Sequence, residues 1–309
     1  MGAAHHHQEA AGERSAVIDE SPMKFVDQFG VSMRDCLRFL IGCLLVVGSA
    51  SAAEVFVDNL EGRDAFDGTL PVEGDGNTGP VRSLARAVQI ATFGDVIVLK
   101  NAGLPYYDSL SLTGRRHSGT AYRPFKIVGN GATLSGLRSV PREGWVKEGP
   151  RLWKLTATRK GFYQLLRNGQ SLPETLPEGS NNPLLTLAPG HWVSWRGSLY
   201  FQQDGVDPPT EQLFAWTADQ TGISLHDVSN VLISNLTLQH FRFDGLHAQG
   251  ICDHIELDNV TAVENGRAGI ASSGGAKIDI FGGTFARNGR HQILAIGRST
   301  ATQHNPDLK

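Results

Sequence analysis

The chain has 309 residues, with 28 lysines and arginines against 31 aspartates and glutamates and a formal net charge of −3. So weak a balance, with no basic stripe, excludes nucleic acid and anionic membrane surfaces as electrostatic partners. The three cysteines exclude a disulfide-rich scaffold.

Residues 1 to 32 hold a short His run at 5 to 7 and an internal Met23 ahead of Met33. They read as an over-long gene model, disordered and without a metal site, with translation starting at Met23 or Met33. Residues 33 to 52, "MRDCLRFLIGCLLVVGSASA", have the parts of a secretory signal. Arg34 and Arg38 are positive, Phe39 to Val47 is apolar, and Ala50-Ser51-Ala52 is a small-residue site, so cleavage after Ala52 is expected. The apolar run is too short to span a membrane, and most of it follows Cys43 in the lipoprotein-box-like "LIGC", so no membrane or lipid anchor is expected. The product would be secreted or periplasmic, keeping Cys252 alone and no internal disulfide.

One domain is predicted over 53 to 309. "EVFVDNLEGRDAFDG" at 54 to 68 reads as a strand and an Asp/Gly loop. In 79 to 99, Val81, Leu84, Ala85 and Val88 fall on one helical stripe, predicting a helix near 80 to 93 before Gly94-Asp95 turns into an apolar strand. "PFKIVGNGATLSG" at 124 to 136 reads as strand again. Residues 141 to 216 hold all five tryptophans and two hairpin signals, Asn168-Gly169 and Arg196-Gly197, which predict an antiparallel insertion. Its aromatics either form a small core of their own or, through Trp192, Trp195 and Tyr200, stack on sugar rings.

Between 222 and 296 a unit recurs. Gly222, Gly245, Gly269 and Gln292 lie 23, 24 and 23 residues apart; Thr237, Thr261 and Thr284 correspond, and Asn265-Gly266 returns as Asn288-Gly289. Each unit carries short alternations such as Ile255-Glu256-Leu257 between Asn, Gly and Ser turns. A period this short suits stacked parallel strands about 4.8 Å apart, each coil sharing its core with the next.

On these features the chain resembles the right-handed parallel β-helix proteins of the pectin-lyase-like superfamily, of the uncharacterised secreted bacterial type. The resemblance implies an all-β fold: a right-handed parallel β-helix, or solenoid, with an N-terminal capping helix and an antiparallel β insertion. It also implies a polysaccharide as partner, and a site on the first sheet and the loop before it.

Column assignment locates that site. With Ile223, Leu246, Ile270 and Ile293 inward, Ser224, His247, Ala271 and Leu294 face outward, and His226, Gln249 and Ser273 share the next outward column. Asp244 and Arg267 sit at the ends of successive entering loops, with Arg242 close by. The catalytic candidates are therefore His247, Asp244, Arg267 and His226, with Trp192, Trp195, Tyr200 and Arg242 as substrate-binding candidates. Elimination from a uronic acid needs a base and a cation to neutralise the carboxylate, whereas glycoside hydrolysis needs two carboxyls at set separation. One carboxylate beside histidines and arginines suits the former: His247 would take the proton, Arg267 would hold the substrate carboxylate, and Asp244 would orient His247 or bind Ca²⁺. No other cofactor is called for. Both His247 and Arg267 would point outward and be dispensable for stability. A blander reading makes "FDG" a turn and the Asp–Arg contact a surface ion pair of ~0–1 kcal/mol, leaving a non-catalytic extracellular glycan-binding or surface-interaction protein. His254, Glu256 and Asp258, facing Lys277 and Asp279, read as a solvated sheet face, and Asn235 and Asn259 as stacked turn residues. The polar "GRSTATQHNPDLK" after Ile296 leaves the final coil open, through truncation or for a covering partner.

Overall fold

The computed structural model describes residues 52–157, 159–177 and 182–304. The expected extension and secretory signal lie outside the described residues. What is described is mostly β, with one short α-helix, Leu84–Ile90. That helix is shorter than the predicted 80 to 93 because both ends are set by side chains. Ser83 caps its start by accepting from the Arg86 amide, and beyond Ala91 the Asp95 carboxylate takes the Thr92 amide. Leu84 and Ala87 turn the helix's apolar side into the main core.

Two parallel sheets carry the chain. In the first, Leu110–Thr113, Thr221–His226, Asp244–Gln249, Ala268–Gly274 and His291–Gly297 lie side by side. Leu110, Ile223, Leu246, Ile270 and Ile293 are in register across it, and the first four are buried. The second sheet runs from Glu54–Val57 through Val96–Leu99, Phe125–Ser135, Ser229–Gln239, Asp253–Val263 and Lys277–Phe281 to Thr300–His304, with Thr284–Ala286 also against Asp253–Val263. Phe125, Val231, Ile255 and Ile278 form one buried row of it, and Ile127, Ile233, Leu257 and Ile280 another. Residues of both sheets join in a single apolar cluster. Each Ile or Leu so buried contributes ~1.5–3 kcal/mol relative to exposure.

The glycines that mark the spacing have a steric cause. A Cβ on Gly245 would meet the Gly269 carbonyl oxygen at 2.7 Å, and one on Gly222 would meet that of Gly245 at 2.6 Å, so the backbones approach where no side chain fits. Asn235 at φ 50° and Asn259 at φ 51°, expected as turn residues, are left-handed positions inside Ser229–Gln239 and Asp253–Val263, the first at a break in register between Ser234 and Leu236, and the Asn259 side-chain amide donates to Asn235 Oδ1 at 2.8 Å.

Antiparallel strands occupy the segment between Leu137 and Thr217. One group orders as Trp192–Trp195, Ser198–Gln202, Leu152–Thr156 and Trp145–Lys147, the other as Leu137–Ser139, Phe214–Thr217, Leu165–Arg167 and Gln170–Ser171. Asn168-Gly169 and Arg196-Gly197 both take positive φ at both residues, as two-residue hairpin turns require. Trp145, Trp192, Leu199, Phe201 and Phe214 pack together as this segment's own core. Among the described residues, His291–Gly297 and Thr300–His304 are edge strands, where Ile293 and Ala301 are only partly buried.

Candidate functional site

The loop entering each first-sheet strand is shaped by an internal asparagine. Asn265 accepts from the Phe241 amide and donates to the Leu238 carbonyl, and Asn288 repeats the arrangement by donating to the Ala262 carbonyl and accepting from the Asn265 amide. Gly266, next in line, lies beneath the insertion: a Cβ there would sit 2.0 Å from the Phe162 carbonyl oxygen. These two residues let the insertion segment 161–163 settle on the loops that deliver Arg242, Asp244 and Arg267.

Asp244 opens its strand and is fully buried. Arg267, one strand on, donates to it bidentately, Nε to Oδ1 at 2.9 Å and Nη2 to Oδ2 at 2.5 Å. His247 follows Asp244 on the strand, its Nδ1 lying 3.7 Å from Asp244 Oδ2 and its Nε2 3.0 Å from the Ser273 hydroxyl. Burial holds the His247 pKa below its ordinary 6.5; the Asp244 charge opposes this and the Arg267 charge reinforces it. The imidazole is thus kept neutral while its side chain retains 22 % exposure.

Aromatic rings frame these groups. The Arg267 guanidinium lies 5.3 Å from the Phe243 ring centroid, and Phe243 meets Phe162 of the insertion edge-on at 5.4 Å. Arg242, 2 % exposed, sits over Tyr163 and Phe243 and donates from Nη1 to the Tyr163 hydroxyl at 3.1 Å, while its buried Nε has no partner. Tyr163 in turn stacks on Trp216.

Of the sequence candidates, Asp244, His247 and Arg267 come together, and Arg242 joins them only through Phe243. His226, in register with Gln249, has its Nε2 3.1 Å from Asp227 Oδ2 and makes no hydrogen bond with Asp244, His247 or Arg267 among the described residues. Trp192 is 1 % exposed and donates its indole N–H to the Leu172 carbonyl, so it serves the insertion core and presents no face to a sugar. Trp195 is half-buried under Arg196, and Tyr200 is half-buried on the strand beside Lys154. The expectation that Arg267 points freely outward is corrected by its bidentate pairing, through Nε and Nη2, with a buried carboxylate. Both Asp244 carboxylate oxygens face Arg267, and among the described residues no cluster of three or more acidic, His or Cys side chains is placed to hold a metal ion. Cys252 is a free, buried thiol.

Sequence reasoning missed Ser273 as a partner of His247, and missed the cover supplied by Phe162 and Tyr163. It also passed over Glu174. That carboxyl keeps solvent contact yet is crowded by protein, and desolvation raises its pKa above the ordinary value, with Arg290 pulling the other way. In the sequence Glu174 stands in "LPETLPEG", indistinguishable from any polar loop. Only the diagonal offset of Ser273 from His247, two positions along the neighbouring strand, was there to be read.

No protein-family profile matches the sequence, and no match to a curated protein is found. Among solved structures, XylC in complex with xylose is similar over 81 % of this chain and 64 % of its own, at 12 % identity and a TM-score of 0.41. The GH136 lacto-N-biosidase from Eubacterium ramulus is similar over 79 % of this chain and 30 % of its own, at 15 % identity and a TM-score of 0.31. The chain therefore spans less than two thirds of either protein. Among the described residues no helix is long and apolar enough to cross a membrane.

Proposed function

We propose that the described domain is an exported right-handed β-helix that acts on polysaccharide at the first-sheet face, by base-catalysed elimination on an acidic glycan. The observation that carries this reading is His247: a neutral, part-exposed imidazole with a carboxylate behind Nδ1 and Nε2 turned toward a hydroxyl. A neutral imidazole accepts a proton at ordinary pH, whereas both Asp244 oxygens are engaged by Arg267. Substrate replaces Ser273 at Nε2 and gives up its C5 proton there; the Asp244 charge, 3.7 Å from Nδ1, stabilises the imidazolium that forms. Arg267 spends Nε and Nη2 on Asp244, and its Nη1 makes no hydrogen bond with the described residues, so one cationic donor remains for the substrate carboxylate.

One feature favours a second reading. A bidentate pair around a fully buried carboxylate is also what a structural clasp looks like, and on that view the face binds glycan without turning it over. Incubating the purified protein with a panel of uronate polysaccharides, and following unsaturated-sugar absorbance, separates the two. Elimination lost in His247→Ala and kept in His254→Ala supports the enzyme; glycan binding without turnover by the unaltered protein supports the clasp.

A further inference from the structure

We propose that Ser273 is a nucleophile and that Ser273, His247 and Asp244 give this face a second activity, hydrolysis of acyl esters carried on the glycan. The inference rests on the reading of this face as a glycan site and uses the same base. Three groups stand in the order that acyl transfer needs: a hydroxyl 3.0 Å from one imidazole nitrogen, and a buried carboxylate 3.7 Å from the other. The outer contact is longer than a hydrogen bond, a looseness common in such sets before substrate is bound. With its proton on Nδ1, toward Asp244, the ring leaves Nε2 free to accept from Ser273.

The surroundings suit an ester rather than a bulky acyl chain. Ser273 is half-buried and is followed by Gly274 and Gly275, both exposed and without side chains, while the outward neighbour of His247 across the sheet is Ala271. A small acyl group on a sugar hydroxyl reaches Ser273 past these residues. Arg267, whose charge bears on His247 and whose Nη1 is unengaged among the described residues, is the cation beside the developing oxyanion.

In the first step the Ser273 oxygen bonds to the ester carbonyl carbon as its proton passes to His247 Nε2. Collapse of the tetrahedral adduct breaks the bond to the sugar oxygen, which leaves with the proton from Nε2. Water then repeats the sequence on the acyl-serine, releasing the carboxylic acid and restoring both residues. No oxidant, reductant or metal is needed.

The test uses the full domain, a fluorophosphonate probe and p-nitrophenyl acetate. The expected result is a covalent adduct on Ser273, located by peptide mass spectrometry and lost in His247→Ala, with ester hydrolysis falling at least ~100-fold in Ser273→Ala. No adduct, an adduct elsewhere, or undiminished hydrolysis by a folded Ser273→Ala overturns the proposal. Labelling of the unaltered protein decides the matter even if that variant fails to fold. Elimination that survives in Ser273→Ala, without any label on the unaltered protein, overturns this inference alone; a labelled Ser273 with acetate released from O-acetylated glycans, and no elimination, overturns the elimination reading alone.

Discussion

The two parallel sheets present the same residue types outward and treat them oppositely. On the second sheet, Asp253 pairs with His254 at 3.0 Å and with Lys277 at 3.2 Å, and the His254 side chain is 69 % exposed. On the first, Asp244 pairs with Arg267 and stands behind His247, and the carboxylate is 0 % exposed. The difference comes from the insertion: Phe162 and Tyr163 lie against Phe243 and Arg242 on one side only. An ion pair in water is worth little, whereas the same pair under cover is strongly coupled and leaves a costly orphan when broken.

The largest effect expected from this contrast is on stability. Arg267→Ala strands the buried Asp244 and should cost ~3–5 kcal/mol by urea unfolding, against ~0–1 kcal/mol for Lys277→Ala on the open sheet. Equal losses would erase the distinction. Replacing both partners, Asp244→Leu with Arg267→Met, should recover most of the deficit, because no charge is then left unpaired.

Loosening the cover should cost less. The Tyr163 hydroxyl donates to the Arg159 carbonyl at 2.6 Å and accepts from Arg242. Tyr163→Phe therefore leaves Arg242 with one partner fewer and should destabilise by ~1–3 kcal/mol, with a rise in reactivity of the Arg242 loop toward solvent probes but no change at His254.

Acid should act on the covered histidines. Burial lowers the pKa values of His117, His240 and His247 from 6.5, so below that pH the unfolded chain binds protons that the folded chain refuses. Stability is then full above about pH 6.5 and declines as pH falls toward the folded-state values. A melting temperature that rises between pH 7 and pH 5.5 would contradict this. At the small end, His254→Ala and Glu256→Ala should each change stability by no more than ~0.5 kcal/mol and leave turnover unchanged.

The strand spacing was legible because backbone contact enforces it: glycines at 222, 245 and 269 stand where neighbouring carbonyls leave no room for a Cβ. Which residues face out on the first sheet was legible too, since Ser224, His247, Ala271 and Leu294 pair across it in the expected row. The packing around Arg242 and Phe243 was not, because it depends on Phe162 and Tyr163, some eighty residues earlier in the chain, with no periodic tie to that loop. For the same reason Arg242 and Trp192 looked available for sugar; an arginine stacked on Tyr163 and a tryptophan inside the insertion core have the same local sequence as exposed ones.

The central claim is that cover, and not the nearby carboxylate, governs His247. A ring-nitrogen NMR titration of His247 measures this directly, since burial and the Asp244 charge push its pKa in opposite directions. The account predicts a midpoint below 6.5, with the neutral ring carrying its proton on Nδ1. A midpoint at or above 6.5 would show that Asp244 outweighs burial, and His247 would then be a charged member of the clasp and not a base.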